Sequence, residues 1–118
     1  MKIAVTSSGD SLTSAVDPRF GRAAKLILYD TETSDFQVVD NTANLSAPQG
    51  AGIKAVETVS RLGATCVITG QCGPRAFQAL KAARIEVLLV GGGTVAQAIE
   101  QFKSGRLRPL GGPNLGGQ

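Results

Sequence analysis

From residue 50 to residue 105 the chain alternates helical and extended patterns with almost nothing between them. A helical period over 50–63 (Ile53, Val56, Val59 and Leu62 on one face) is followed by the aliphatic run "TCVIT" at 65–69. A second helical stretch, 74–83, opens on Pro74, where a missing N–H costs nothing. Then come "EVLLV" at 86–90, the triplet "GGG" at 91–93, and a third helical stretch at 94–105 with Thr94 at the N-cap position. Connections this short between strand and helix leave one arrangement open: parallel strands joined by right-handed crossovers.

The first 41 residues read differently. "KIAVTS" (2–7) and "AKLILYDT" (24–31) are strands, and the polar turn "TETSD" leads directly into "FQVVDN" (36–41). The second and third strands therefore form an antiparallel hairpin, and the order is β-β-β-α-β-α-β-α. This predicts a three-layer α/β fold of ribonuclease-H-like type. Its five-stranded mixed sheet has order 3-2-1-4-5, with only strand 2 antiparallel. A flavodoxin-like sheet needs a helix between the first two strands, and residues 8–23 carry no helical period. Residues 1–105 form one domain, and the Gly- and Pro-rich segment 106–118 reads as a loose tail, docked if at all through Leu107 and Leu110.

Composition removes several functions. The chain has no histidine, which excludes His-bearing metal sites, Ser-His-Asp triads and Cys-His pairs. No apolar run approaches the roughly 20 residues that span a bilayer. The opening "MKIAVTSSGD" lacks the pattern of a signal peptide, so no membrane partner and a cytoplasmic location are expected. A net charge of +3 with five aromatic residues gives neither the charge nor the stacking platform of a nucleic-acid binder. "GAGIKA" lacks the acidic strand end of a dinucleotide fingerprint, and "GGGT" lacks a P-loop lysine. The first strand carries no carboxylate, so two-metal nuclease chemistry has no ligands. No catalytic residue emerges, and a non-enzymatic role is expected.

What remains is one sheet edge. In this topology the carboxyl ends of the parallel strands, where ligands of open α/β sheets bind, collect loops from all over the sequence. They bring Ser8, Gly9, Arg19, Phe20, Gly21, Arg22, Asn41, Gly50, Gly52, Gly70, Cys72, Gly73, Arg75, Gly92, Gly93 and Thr94 to one face. Glycines admit close backbone approach, helix N-termini present N–H groups, and arginines add forked donors. The face is predicted to receive an anion. Cys66 lies within a strand covered on both sides and reads as a core residue. Cys72 lies beside a helix N-terminus and close to Arg75, features that lower a thiol pKa, which makes it the candidate metal ligand.

The segments "MKIAVTSSG", "VDPRFGRA", "LILYD", Asn41, "GAG", "VITGQCGPRAFQAL" and "IEVLLVGGGTVAQAIEQFKSGRL" carry a resemblance spanning residues 1–107. Together they resemble the dinitrogenase iron–molybdenum cofactor biosynthesis family, small ribonuclease-H-like proteins that carry metal–sulfur clusters or their precursors. The resemblance implies noncovalent carriage of a molybdenum-containing cluster, of Mo–Cu–S or Fe–Mo–S type, and a protein partner for its transfer. It does not imply a thiol ligand at Cys72. The same Gly-rich edge is also compatible with a phosphate- or nucleotide-binding regulatory module, and the tail with a protein-interaction domain.

Overall fold

The computed structural model describes residues 1–41 and 51–111. Strands β1 (Lys2–Ser7), β2 (Lys25–Asp30) and β3 (Phe36–Asp40) precede helix α1 (Ala51–Arg61). Then follow β4 (Ala64–Thr69), α2 (Pro74–Ala82), β5 (Glu86–Leu89), α3 (Val95–Lys103) and β6 (Arg108–Pro109). The strands form one sheet of order β3-β2-β1-β4-β5-β6. β2 runs antiparallel to β1 and β3, while β4 and β5 run parallel to β1. No helix lies between β1 and β2 among the described residues, which removes the flavodoxin-like alternative.

The expected five strands become six, and strand 2 is not the only antiparallel one. β6 pairs antiparallel with β5 through Leu88↔Pro109 and Leu89↔Arg108. Arg108 and Pro109, expected in a loose tail, thus form an edge strand of the sheet. The Leu110 amide donates to the Val87 carbonyl at 2.8 Å. Leu110 packs against one core and Leu107 against the other.

Those two cores follow from the two-residue period of a strand. Ala4, Leu26, Leu28, Val67 and Val87 face α1 and α2, where they meet Val56, Val59 and Leu80. Their neighbours Ile3, Val5, Ile27, Tyr29, Cys66, Ile68 and Leu88 face α3 and meet Val95 and Ile99. Cys66 is the core residue its strand position predicts, 1% exposed. Burial on both faces explains why the strands read as unbroken aliphatic runs. Gly63, at φ +87°, ends α1 and turns the chain into β4.

Candidate functional site

The carboxyl edge of the sheet is organised by residues 8–24, which fold back across it. The Ser8 amide and hydroxyl both donate to the Ala15 carbonyl, each at 3.0 Å. The Asp17 amide then donates to Thr6 O at 3.0 Å, the Val16 amide to Gly93 O at 2.9 Å, and the Phe20 amide to Gln71 O at 3.0 Å. One loop therefore ties together the turns after β1, β4 and β5. Beneath it, Thr6 Oγ1 donates to Asp17 O at 2.6 Å and lies 2.9 Å from Thr69 Oγ1; both threonines are fully buried. Gly70 is where the loop passes closest: a Cβ there would sit 3.1 Å from the Pro18 backbone.

Three arginines come to this edge exposed: Arg19, Arg22 and Arg75. The Asp17 carboxylate accepts from the Arg19 amide at 2.9 Å and lies 3.6 Å from Arg19 Nε, so it fixes both the turn and the guanidinium. Gly21, at φ +92°, lets the chain reverse between Arg19 and Arg22. Asn41 is buried. Its Nδ2 donates to Ala23 O at 2.8 Å, and its amide donates to Ala24 O at 2.9 Å. Asn41 therefore clamps the arginine-bearing turn rather than facing outward.

The helix N-termini divide. At α3 every early amide has an acceptor. Thr94 N donates to Gln97 Oε1 at 2.9 Å and Gln97 N to Thr94 Oγ1 at 3.1 Å, a reciprocal capping box. Val95 N donates to Ser14 O at 2.9 Å and Ala96 N to Leu12 O at 2.8 Å. Thr94 is thus committed to the cap, and the α3 terminus offers no open donors to an anion. Gly92 and Gly93, at φ +129° and +88°, shape the turn into that cap. At α2 the N-cap is Gly73, with no side-chain cap, and Pro74 has no N–H. The amides of Arg75 and Ala76 have no acceptor among the described residues. This terminus carries the donors and partial positive charge that suit an anion.

Several predicted site residues serve the scaffold instead. Gly9 donates to Ser7 Oγ at 3.2 Å and sits so close to Ser14 that a Cβ would lie 2.6 Å from its hydroxyl. Phe20 is 4% exposed and packs in the α1–α2 core, so its ring does not line the edge. Gly52 lets α1 approach α2, since a Cβ there would lie 2.9 Å from Ala76 Cβ. Gly50 lies outside the described residues. Cys72 is fully buried in the same core as Phe20. Burial pushes its thiol up to about 11, opposite to the lowering expected from its place beside a helix N-terminus. Cys66 is pushed up to about 12, by burial first and Glu86 second. Among the described residues no three His, Cys, Asp or Glu side chains are grouped to hold a metal ion.

Two cations at this edge were not legible in the sequence. β6 runs back from the edge where β5 ends, placing Arg106 and Arg108 beside Gly70 and Gly91. Their only sequence signal is the alternating "RLRP" immediately after a helix-terminating glycine.

The family model described as "Dinitrogenase iron-molybdenum cofactor" matches residues 1–105. The apo form of the orange protein from Desulfovibrio gigas is 44% identical, with a TM-score of 0.92, covering 96% of this chain and 95% of that one. A Thermotoga protein described provisionally as NifB, of the DUF35 family, is 39% identical with a TM-score of 0.87, covering 98% of both chains. An uncharacterised protein of Methanocaldococcus jannaschii is 26% identical over 110 residues, 91% of this chain and 89% of its own.

Proposed function

This chain belongs to the dinitrogenase iron–molybdenum cofactor family, and from that premise we propose that it captures and carries an anionic, molybdenum-containing metal–sulfur cluster without catalysing a reaction. The cargo is of Mo–Cu–S or Fe–Mo–S type, held noncovalently until it passes to a protein partner, and the compartment is the cytoplasm. The family match and the likeness to the orange protein support a role in cofactor or cluster handling. The ribonuclease-H-like assignment of the fold belongs to the same proposal.

The observation that carries the reading is the juxtaposition on the α1–α2 side of the edge. Arg19 and Arg22 stand on a turn joined to the β4–α2 connection by the Arg19↔Gln71 bridge. That connection opens a helix whose Arg75 and Ala76 amides have no acceptor among the described residues. A thiometallate cluster is a polyanion with polarisable sulfur on its surface. Guanidiniums and backbone amides can hold such sulfur without a protein–metal bond. The buried, protonated Cys72 is not required in that arrangement.

Reconstitution with tetrathiomolybdate and copper, followed by gel filtration, tests it. A coloured species is expected to co-elute with the protein, and Arg19→Ala with Arg22→Ala to reduce retention at least tenfold. Unchanged retention in that variant places the cargo elsewhere, and no co-elution at all rejects a thiometallate cargo.

A further inference from the structure

Beyond the last β5–β6 pair, Leu89↔Arg108, the two chains part. β5 continues into the glycine turn, while the chain leaving α3 arrives through Arg106, whose amide donates to Gln101 O at 3.0 Å. Between them opens a groove of about 450 Å³. Leu89, Val90 and Leu107 provide apolar lining, Arg106 and Arg108 provide the charge, and no carboxylate of the described residues lines it. Neither arginine has a carboxylate within ion-pair distance among the described residues, and both are exposed. Gly91 lies beside them with open space where a side chain would be, so its backbone is accessible to a ligand.

This groove lies at the β5–β6 end of the same carboxyl edge and shares Gly70 with it, but its cations are a different pair, Arg106 and Arg108. Two guanidiniums match the geometry of a phosphate group. The volume falls within the range of about 300–1,000 Å³ typical of small-molecule sites and exceeds what a bare tetrahedral anion occupies.

We propose that the groove between the β5–α3 turn and β6 binds a phosphorylated organic molecule of nucleotide size, with its phosphate on Arg106 and Arg108 and its body over Leu89, Val90 and Leu107. Calorimetric titration of the full chain with AMP, ADP and inorganic phosphate tests this. AMP or ADP is expected to bind at least tenfold more tightly than inorganic phosphate. Arg106→Gln with Arg108→Gln is expected to weaken nucleotide binding at least tenfold, with circular dichroism verifying the fold. Arg106→Gln alone gives the same direction with a single exposed change. Arg19→Ala with Arg22→Ala is expected to leave nucleotide binding within twofold, which distinguishes this groove from the Arg19–Arg22 site whether or not the chain carries a cluster. No heat with either nucleotide at millimolar concentration, phosphate binding as tight as AMP, or unchanged binding in the Arg106/Arg108 variants each overturns the proposal.

Discussion

Cys72 lies two residues from the start of a helix, yet burial decides its chemistry. The thiolate is the reactive form, and a thiol whose pKa stands near 11 is almost wholly protonated at neutral pH. Cys66, at about 12, is more so. Both cysteines are therefore expected to resist alkylation and disulfide reagents in the native state and to react fully once unfolded, which thiol titration with and without denaturant checks. The sign of the linked stability follows. As pH rises above the ordinary 9.0, the unfolded chain releases thiol protons that the native chain still holds. The unfolded state then binds fewer protons, so stability falls with pH from about 9 and levels off only beyond the folded values near 11 and 12. The Tyr29–Lys103 contact of 2.9 Å titrates in the same region, so the informative comparison at each pH is between the wild type and Cys72→Ala. Urea midpoints are expected to fall less steeply with pH in the variant; equal slopes would mean that the thiol is already accessible to water. Asn41 makes a related point. Its polarity suggests a ligand, but its side-chain amide donates to the Ala23 carbonyl and so holds the arginine turn. Asn41→Ala is expected to cost about 1–3 kcal/mol, because the buried Ala23 carbonyl loses its side-chain donor while the backbone bond to Ala24 is kept. Denaturant unfolding measures that cost.

The helices show how much of such a fold can be read locally. Periodicity located all three, because each buries one face against a sheet covered on both sides. What periodicity does not carry is the state of a helix end. The α3 terminus is closed by Ser14 and Leu12, residues distant in the chain, while the α2 terminus finds no acceptor among the described residues. The same limit hid β6, two residues containing a proline, too short for any alternation to register. Phe20 and Gly70 were legible as part of the edge, but not in their roles. Only the folded-back loop sends the ring into the core and sets Pro18 against the glycine. Two substitutions test this division of labour. Thr94→Ala removes a reciprocal cap and is expected to cost about 1 kcal/mol in denaturant unfolding without lowering cluster retention. Gly52→Ala forces a methyl group to within 2.9 Å of Ala76 Cβ, where both helices must give way. It is expected to cost about 1–3 kcal/mol, as overpacking does. A smaller loss in Gly52→Ala combined with Ala76→Gly would identify that contact as the cause.

At the scale of the whole molecule, the sheet gathers positive charge at one end from sequence-distant turns. Arg19, Arg22 and Arg75 come from the folded-back loop and the α2 terminus, and Arg106 and Arg108 from the chain entering β6. The chain carries +3 overall, so most of this charge is local concentration rather than a global excess. Capture by exposed guanidiniums differs from coordination by a buried thiolate in one measurable respect. Salt screens surface charges over about 10 Å at 0.1 M and about 3 Å at 1 M, whereas it leaves a metal–sulfur bond intact. If the arginine turn and the α2 terminus hold the cargo, affinity for a thiometallate falls about tenfold between low and high salt, in line with several partly screened charges. Arg19→Ala with Arg22→Ala then lowers affinity at low salt and flattens the salt dependence, because the charges being screened are gone. Cys72→Ala leaves both affinity and salt slope unchanged. Coordination through the thiol predicts the reverse on every count: binding indifferent to salt, tolerant of the arginine changes and abolished by Cys72→Ala. Equilibrium dialysis of the three proteins across a salt series separates the two mechanisms.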